Sequence, residues 1–283
     1  MSLRHLVVET SWGPLRIAGG SRAGEGTTIL APQLRLAMDA GRAHRALPPM
    51  NTVVISHGHM DHLGALGYWA SQRYLNSMGP ATVLAPGAIA QHVQTLLTTF
   101  AELEGGHPYR VEVVSVEAGA SHQLRKDMDL RFFATDHWVP TLGHIVAWRK
   151  RRLRPEFVGL AGSEIARLRG SGQTVTEDQT IDLMAYCADS GPGLFDTSPE
   201  ALGAEVLLVE CSFFADADRD RARTYGHMHL HDLLEVADRL HCRHLIVLHA
   251  SRRHRLRQVE ETLEQKLRPR LGCSLHHLMV DWE

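Results

Sequence analysis

The residues best placed to do chemistry lie in one run, His57-Gly58-His59-Met60-Asp61-His62, just after the apolar, β-branched stretch 52–56. If that stretch is a buried strand, His57 and His59 are alternate residues of extended chain and point to one side, where both can grip one ion. Asp61 and His62 then fall in the first helical turn and can reach a second ion nearby. Imidazole and carboxylate at such spacing are ligands for zinc-type metals. The chain holds nineteen histidines, several of them in tight groups, and metal binding favours grouping where surface polarity does not. Two ions need more than four ligands. His137, Asp189 and His249 each follow an apolar strand-like stretch, the position where α/β proteins assemble their sites.

The elements that must position these residues can be read from periodicity. Strands are expected over 4–9, 15–18, 27–30, 34–38 and 52–56, with glycine-rich turns between the first of them. A helix is expected from 61 to about 78, a strand over 81–85 and a helix from 86 to 103, with Pro86 as its starter. Strands near 111–116, 130–135 and 144–148 follow. A weak helix over 163–169 precedes renewed β/α alternation: strands at 181–187, 206–210 and 244–248, and helices at 229–240 and 255–267. A β-rich first half and a β/α second half suggest a four-layer α/β sandwich, helices outside two sheets.

The 283 residues and 44% hydrophobic content suit one large α/β domain, and no apolar run approaches the ~18 residues of a membrane helix. The opening residues 1–9 lack a long apolar core and a cleavage site, so they read as mature protein, not a signal peptide. Cys187, Cys211, Cys242 and Cys273 are scattered and read as thiols in a reducing compartment, hence a cytoplasmic protein. The net charge of −2 conceals a basic island. Residues 149–169 carry seven basic side chains (Arg149, Lys150, Arg151, Arg152, Arg154, Arg167 and Arg169) against Glu156 and Glu164, a local +5 on a remainder of −7. Such an island is either a solvated loop or a contact for a polyanion.

The order of these residues resembles the metallo-β-lactamase superfamily, and their local contexts resemble the tRNase Z family, especially its short, plant-type form. His137-Trp138-Val139-Pro140-Thr141-Leu142-Gly143 is similar to the family's histidine followed by glycine after five residues; Ala188-Asp189-Ser190 is similar to its G-D-T. Val209-Glu210-Cys211-Ser212-Phe213 resembles H-E-A-T-F, Gly226-His227 opens like G-H-S-T, and the segment from His249 to His254 resembles H-x-S-x-R-Y. The chain departs from the pattern at His144 and His254, where the family has tyrosines, and residues 20–24 stand in place of a P-x-K-x-R-N loop.

The resemblance implies an αββα four-layer sandwich as a single domain over 1–283, with a flexible basic arm inserted at 149–180. It implies two zinc ions: one on His57, His59 and His137, the other on Asp61, His62 and His249, with Asp189 bridging. The implied activity is removal of the 3′ trailer from precursor tRNA to leave a 3′-hydroxyl. Asp61 would orient water, His227 would act as general acid and Glu210 would orient His227. Arg253 would clamp phosphate, and Arg149, Lys150, Arg151, Arg152 and Arg154 on the arm would grip the tRNA away from the cut. A homodimer is also implied. Two other readings remain at this point: a lactamase-fold phosphodiesterase for small phosphodiesters, and a non-catalytic RNA-binding protein.

Overall fold

A computed structural model describes residues 3–282. Met1, Ser2 and Glu283, which belong to the 1–283 domain and the leaderless opening expected above, lie outside the described residues. Among the described residues two seven-stranded sheets form. The first holds β1 (Arg4–Thr10), β2 (Gly13–Arg22), β3 (Gly26–Ala31), β4 (Leu36–Met38), β5 (Thr52–Val54), β6 (Ala81–Pro86) and β7 (Val111–Val116). The second holds β8 (Ser121–Arg125), β9 (Met128–Ala134), β10 (Leu142–Leu153), β11 (Thr176–Tyr186), β12 (Val206–Glu210), β13 (His244–Leu248) and β14 (Ser274–His277). Each sheet runs in chain order, antiparallel through its first four strands and parallel through its last four. The two halves of the chain therefore repeat one plan.

Three apolar layers stack the molecule, and the middle one holds the halves together. Ile17, Ile29, Met38 and Val54 of the first sheet meet Phe132, Val146, Met184 and Ile246 of the second in a dry layer between them. Outside the first sheet, α2 (Leu66–Leu75) and α3 (Gly87–Leu103) bury Trp69, Val93 and Leu97 on Val83. Outside the second, α5 (Leu230–Val236) and α6 (Leu256–Thr262) bury Leu233 and Val259 on Val247, and Leu263 just after α6 joins them. The four-layer αββα sandwich expected from the sequence is the fold observed. Among the described residues no helix is long and apolar enough to cross a membrane.

Several elements differ from expectation. The helix expected over 61–78 is split into α1 (Met60–Leu63) and α2. The loop after β4 takes the backbone groups a continuous helix would use: Ala40 N–H donates to His62 O and Ala65 N–H donates to Ala40 O, both at 2.7 Å. Gly41 lies so close that a β-carbon there would stand 1.8 Å from the Asp61 carbonyl oxygen. Edge strands β8 and β14 were not anticipated. Nor was the length of β10 and β11, which run far beyond the sheet as a two-stranded ribbon, paired out to Leu153 opposite Thr176.

That ribbon is the stem of the basic insert, and its tip carries a 3-10 turn (Pro155–Phe157) and α4 (Gly162–Gly170). Its register sets Arg151 opposite Asp178 and Arg152 opposite Glu177. Ion pairs follow at 3.3 and 2.6 Å, while Arg149 pairs with Asp129 and Arg154 with Glu156. The island's charge is thus partly answered within the protein. Lys150, Arg167 and Arg169 make no ion pair among the described residues and remain available to an anion.

Candidate metal centre

Ligand-type side chains from both halves meet at one edge of the sandwich, where the parallel strands end. The chain leaving β5 delivers His57 and His59 in extended conformation, and His59 precedes α1 as its N-terminal flank. His62 sits in α1, buried completely. From the second half, His137 comes from the β9–β10 loop, Asp189 from the end of β11 and His249 from the end of β13. The chain turns left-handed beside three of these strand ends, at Asp39 (φ 59°), Ala188 (φ 52°) and His249 (φ 65°). Non-glycine residues adopt such backbone at a cost of about 1 kcal/mol or more, a strain found at functional sites.

The converging atoms form overlapping groups. One ligand atom each from His57, His59, His137 and Asp189 lies within 4.8 Å of the others, and so do those of Asp61, His62 and His249. Asp189 Oδ1 stands 3.4 Å from His62 Nε2 and its Oδ2 stands 3.4 Å from His249 Nε2 and 3.8 Å from His57 Nε2, so one carboxylate faces both groups. Asp61 Oδ2 lies 3.5 Å from His249 Nε2 and accepts a hydrogen bond from Gly24 N–H at 2.7 Å. His137 Nδ1 donates to Gly226 O at 2.9 Å, and its other nitrogen, Nε2, is buried without a partner. A buried lone pair with no donor, amid imidazole nitrogens crowded as close as 3.0 and 3.3 Å and a carboxylate 3.4 Å from two of them, is what a cation between them would satisfy. The cluster is able to bind metal.

Electrostatics point the same way. Burial and then the neighbouring His62 push the His57 pKa down to about 3, leaving that imidazole neutral as a ligand must be. Burial opposes charge on Asp189, yet His249, His62 and His57 together hold its pKa well below the ordinary carboxylate range. For Asp61, burial is likewise outweighed, by His249 and His62, and its pKa is depressed.

Behind the ligands stands a residue that sequence reasoning missed. Asp39 is fully buried and accepts four hydrogen bonds: from Ser56 N–H (2.7 Å), Ser56 Oγ (2.9 Å), His62 Nδ1 (2.7 Å) and Tyr186 Oη (2.5 Å). It fixes the His62 tautomer, and Ser56 Oγ lies 2.9 Å from His57 Nδ1. The signal was present, because Asp39 follows an apolar strand just as Asp189 does.

The pair Glu210 and His227 also comes together. Buried Glu210 accepts from His227 Nδ1 at 2.6 Å, from Ser190 N–H at 2.9 Å and from Ser212 Oγ at 2.7 Å. Ser212 Oγ is in turn 3.1 Å from His249 Nδ1, which links the pair to the metal cluster. Burial alone would lower the His227 pKa; Glu210 overrides it and raises the pKa to about 9. The other side of the His227 ring reaches the cluster, with a ligand atom within 4.8 Å of those of Asp189 and His249. Arg253 is exposed nearby in sequence to His249, without an ion pair among the described residues, whereas Arg252 is tied to Glu25 at 2.7 Å.

Two stacked seven-stranded sheets, helices outside them and a histidine–aspartate cluster at one edge define a chain of the metallo-β-lactamase fold. The comparisons agree. A model of the beta-lactamase superfamily domain matches residues 4–250. The fold protein YhfI from Bacillus subtilis superposes with a TM-score of 0.66 at 17% identity, covering 95% of this chain and all of that one (100%). Human tRNase Z, short form, superposes with a TM-score of 0.57 at 16% identity over 84% of this chain and 93% of that one. In sequence, tRNase Z TRZ1 of Arabidopsis thaliana is 32% identical over 251 residues, 87% of this chain and 89% of that protein. The chain belongs to the beta-lactamase superfamily and, within it, to the tRNase Z family.

Proposed function

We propose that the protein is a zinc-dependent endoribonuclease that cleaves the 3′ trailer from precursor tRNA and leaves a 3′-hydroxyl. The observation that carries this reading is the Glu210–His227 pair, an imidazole held at 2.6 Å by a buried carboxylate that favours its charged form, and aimed into the metal cluster. Hydrolysis of a simple ester at two metal ions has no need of it; expulsion of a ribose 3′ oxygen does.

One zinc would be held by His57, His59 and His137, and a second by Asp61, His62 and His249, with Asp189 shared. When bound, such ions supply positive charge against the phosphate oxygens and make a nucleophile available at neutral pH. The residues supply the rest. Asp61, kept ionised by His249 and His62 and fixed by Gly24 N–H, orients the attacking water. His227 passes a proton to the leaving 3′ oxygen from the ring nitrogen facing the cluster, while Glu210 keeps Nδ1 occupied and stabilises the charged ring. Arg253 clamps a phosphate. Residues 149–180 form a tRNA-binding arm, on which Lys150 is joined by Arg149, Arg151, Arg152 and Arg154, whose acidic partners exchange for phosphates when RNA binds. Shape-directed backbone contacts of this kind suit a folded RNA. A cytoplasmic homodimer completes the reading.

The test is incubation with a precursor tRNA carrying a 3′ trailer, with zinc or manganese, followed by mapping of the new end. The expected product ends in a 3′-hydroxyl at or next to the unpaired base that closes the acceptor stem, and His62→Ala abolishes it. An intact trailer would sink the proposal and leave the small-phosphodiester reading in its place.

A further inference from the structure

The β9–β10 loop carries an aromatic side chain that the chemistry above leaves without a task. Trp138 follows the ligand His137 directly and is 70% exposed, among the most exposed large apolar side chains of the protein. It is not loosely placed. A β-carbon at Gly226 would stand 2.2 Å from the indole Cδ1 and 2.7 Å from Nε1, so the edge of the ring lies on the bare α-carbon of the residue that precedes His227. Gly226 also has φ +64°, and its carbonyl oxygen receives His137 Nδ1.

The loop itself is fastened. Asp136 N–H donates to Ser190 Oγ at 3.0 Å, and the Asp136 side chain and carbonyl receive Gly193 N–H at 2.9 Å and Gly191 N–H at 2.6 Å. The indole is therefore held between a metal-ligand candidate and the general-acid candidate, with most of its surface facing water.

A rigid aromatic presented beside a phosphodiester site is a stacking platform, because a nucleobase covers it without either partner losing much conformational freedom. The side on which it lies decides which base. His227 faces the departing 3′ oxygen, and the sugar bearing that oxygen belongs to the last nucleotide of the product. We infer that Trp138 stacks against the base of this last retained nucleotide and sets the position of the cut. The inference rests on the trailer-removal reading proposed above and adds the residue that registers the substrate.

The test uses the full-length zinc-loaded protein and a precursor tRNA with 2-aminopurine as the last retained base, read by stopped flow before cleavage. The native protein should quench the probe on binding. Trp138→Ala should remove the quenching and raise KM about tenfold, in line with the loss of one base–aromatic stack, and Trp138→Phe should restore most of both. Zinc content and thermal midpoint equal to the native values show that the fold is intact. Unchanged quenching or KM in Trp138→Ala would overturn the inference, as would stronger quenching from a probe on the first trailer nucleotide. Loss of zinc from the alanine variant would overturn it too, since the indole would then serve the site's structure. A native protein that binds the precursor but leaves the trailer attached would remove the parent reading, an outcome told apart by the native control alone.

Discussion

Replacing Asp39 with asparagine should weaken metal binding about a hundredfold although Asp39 itself is no ligand. The carboxylate accepts four hydrogen bonds in a fully buried position. An amide has one acceptor oxygen. With that oxygen in the place of Oδ2, toward Ser56 Oγ, His62 and Tyr186, the amide nitrogen opposes Ser56 N–H; flipped, it opposes the other three. In the better orientation, three hydrogen bonds lose their charge assistance, about 0.5 kcal/mol each, and one buried N–H is stranded at about 1–3 kcal/mol. The sum, roughly 3 kcal/mol, corresponds to about two powers of ten, the upper end of what outer-layer changes do to metal sites. The loss should appear in metal affinity because His62 is itself a proposed ligand and Ser56 Oγ positions another, His57. Competition with a chromophoric chelator at fixed pH measures it, and Tyr186→Phe, which removes a single donor, should show about a tenfold loss or less. A variant Asp39→Asn that unfolds at the native temperature and holds zinc within threefold of the native protein would refute the reasoning.

Other outcomes follow from the same structure. His227→Ala should lower single-turnover cleavage of precursor tRNA by about 10² while metal content stays native; equal loss of metal would show a ligand instead. Substituting Lys150, Arg167 and Arg169 together with alanine should flatten the dependence of log affinity on log salt by about two units, and substituting the paired Arg151 and Arg152 should flatten it less; filter binding across a salt series decides. In the metal-free protein burial disfavours the charged His62, but Asp189 and Asp39 raise its pKa well above the ordinary histidine value. The imidazolium is therefore retained as pH rises past that value, metal must displace its proton, and zinc affinity should climb up to tenfold per pH unit above about pH 6.5; calorimetry in buffers of different ionisation enthalpy counts the proton, and a flat profile contradicts the assignment. Gly41→Ala, which forces a methyl into the Asp61 carbonyl, should lower stability by about 3 kcal/mol or more in thermal unfolding.

What the sequence made legible was whatever sits in short, regular patterns. The run from His57 to His62 declares itself because a strand and a helical turn place alternate and adjacent residues predictably. His137, Asp189 and His249 could be found as polar residues ending apolar strands. Asp39 sends the same signal, but its strand, Leu36–Met38, is only three residues long and the signal is correspondingly weak. Tyr186 was unreadable as a site residue, since a tyrosine inside an apolar strand looks like core until the opposite sheet is in view. Counting charge from 149 to 169 overstated the island because Glu177 and Asp178 return on the facing strand, a pairing that depends on register and not on proximity in sequence. The same charged residues, poor strand formers by composition, concealed how far β10 and β11 extend.

The repeated halves have a thermodynamic consequence. His57, His59, Asp61 and His62 come from the first, and His137, Asp189 and His249 from the second, so with the ligand sets proposed above neither half owns a complete coordination sphere. An ion shared in this way would be a clasp across the apolar layer between the sheets, held in full only when both halves are folded and docked. Free metal then enters the folding equilibrium as a reactant. At a concentration about a thousand times its dissociation constant it would add roughly 4 kcal/mol to the unfolding free energy, a large share of what a domain normally has. On that reading the supply of metal would set how much of the protein stays folded as well as whether it can act.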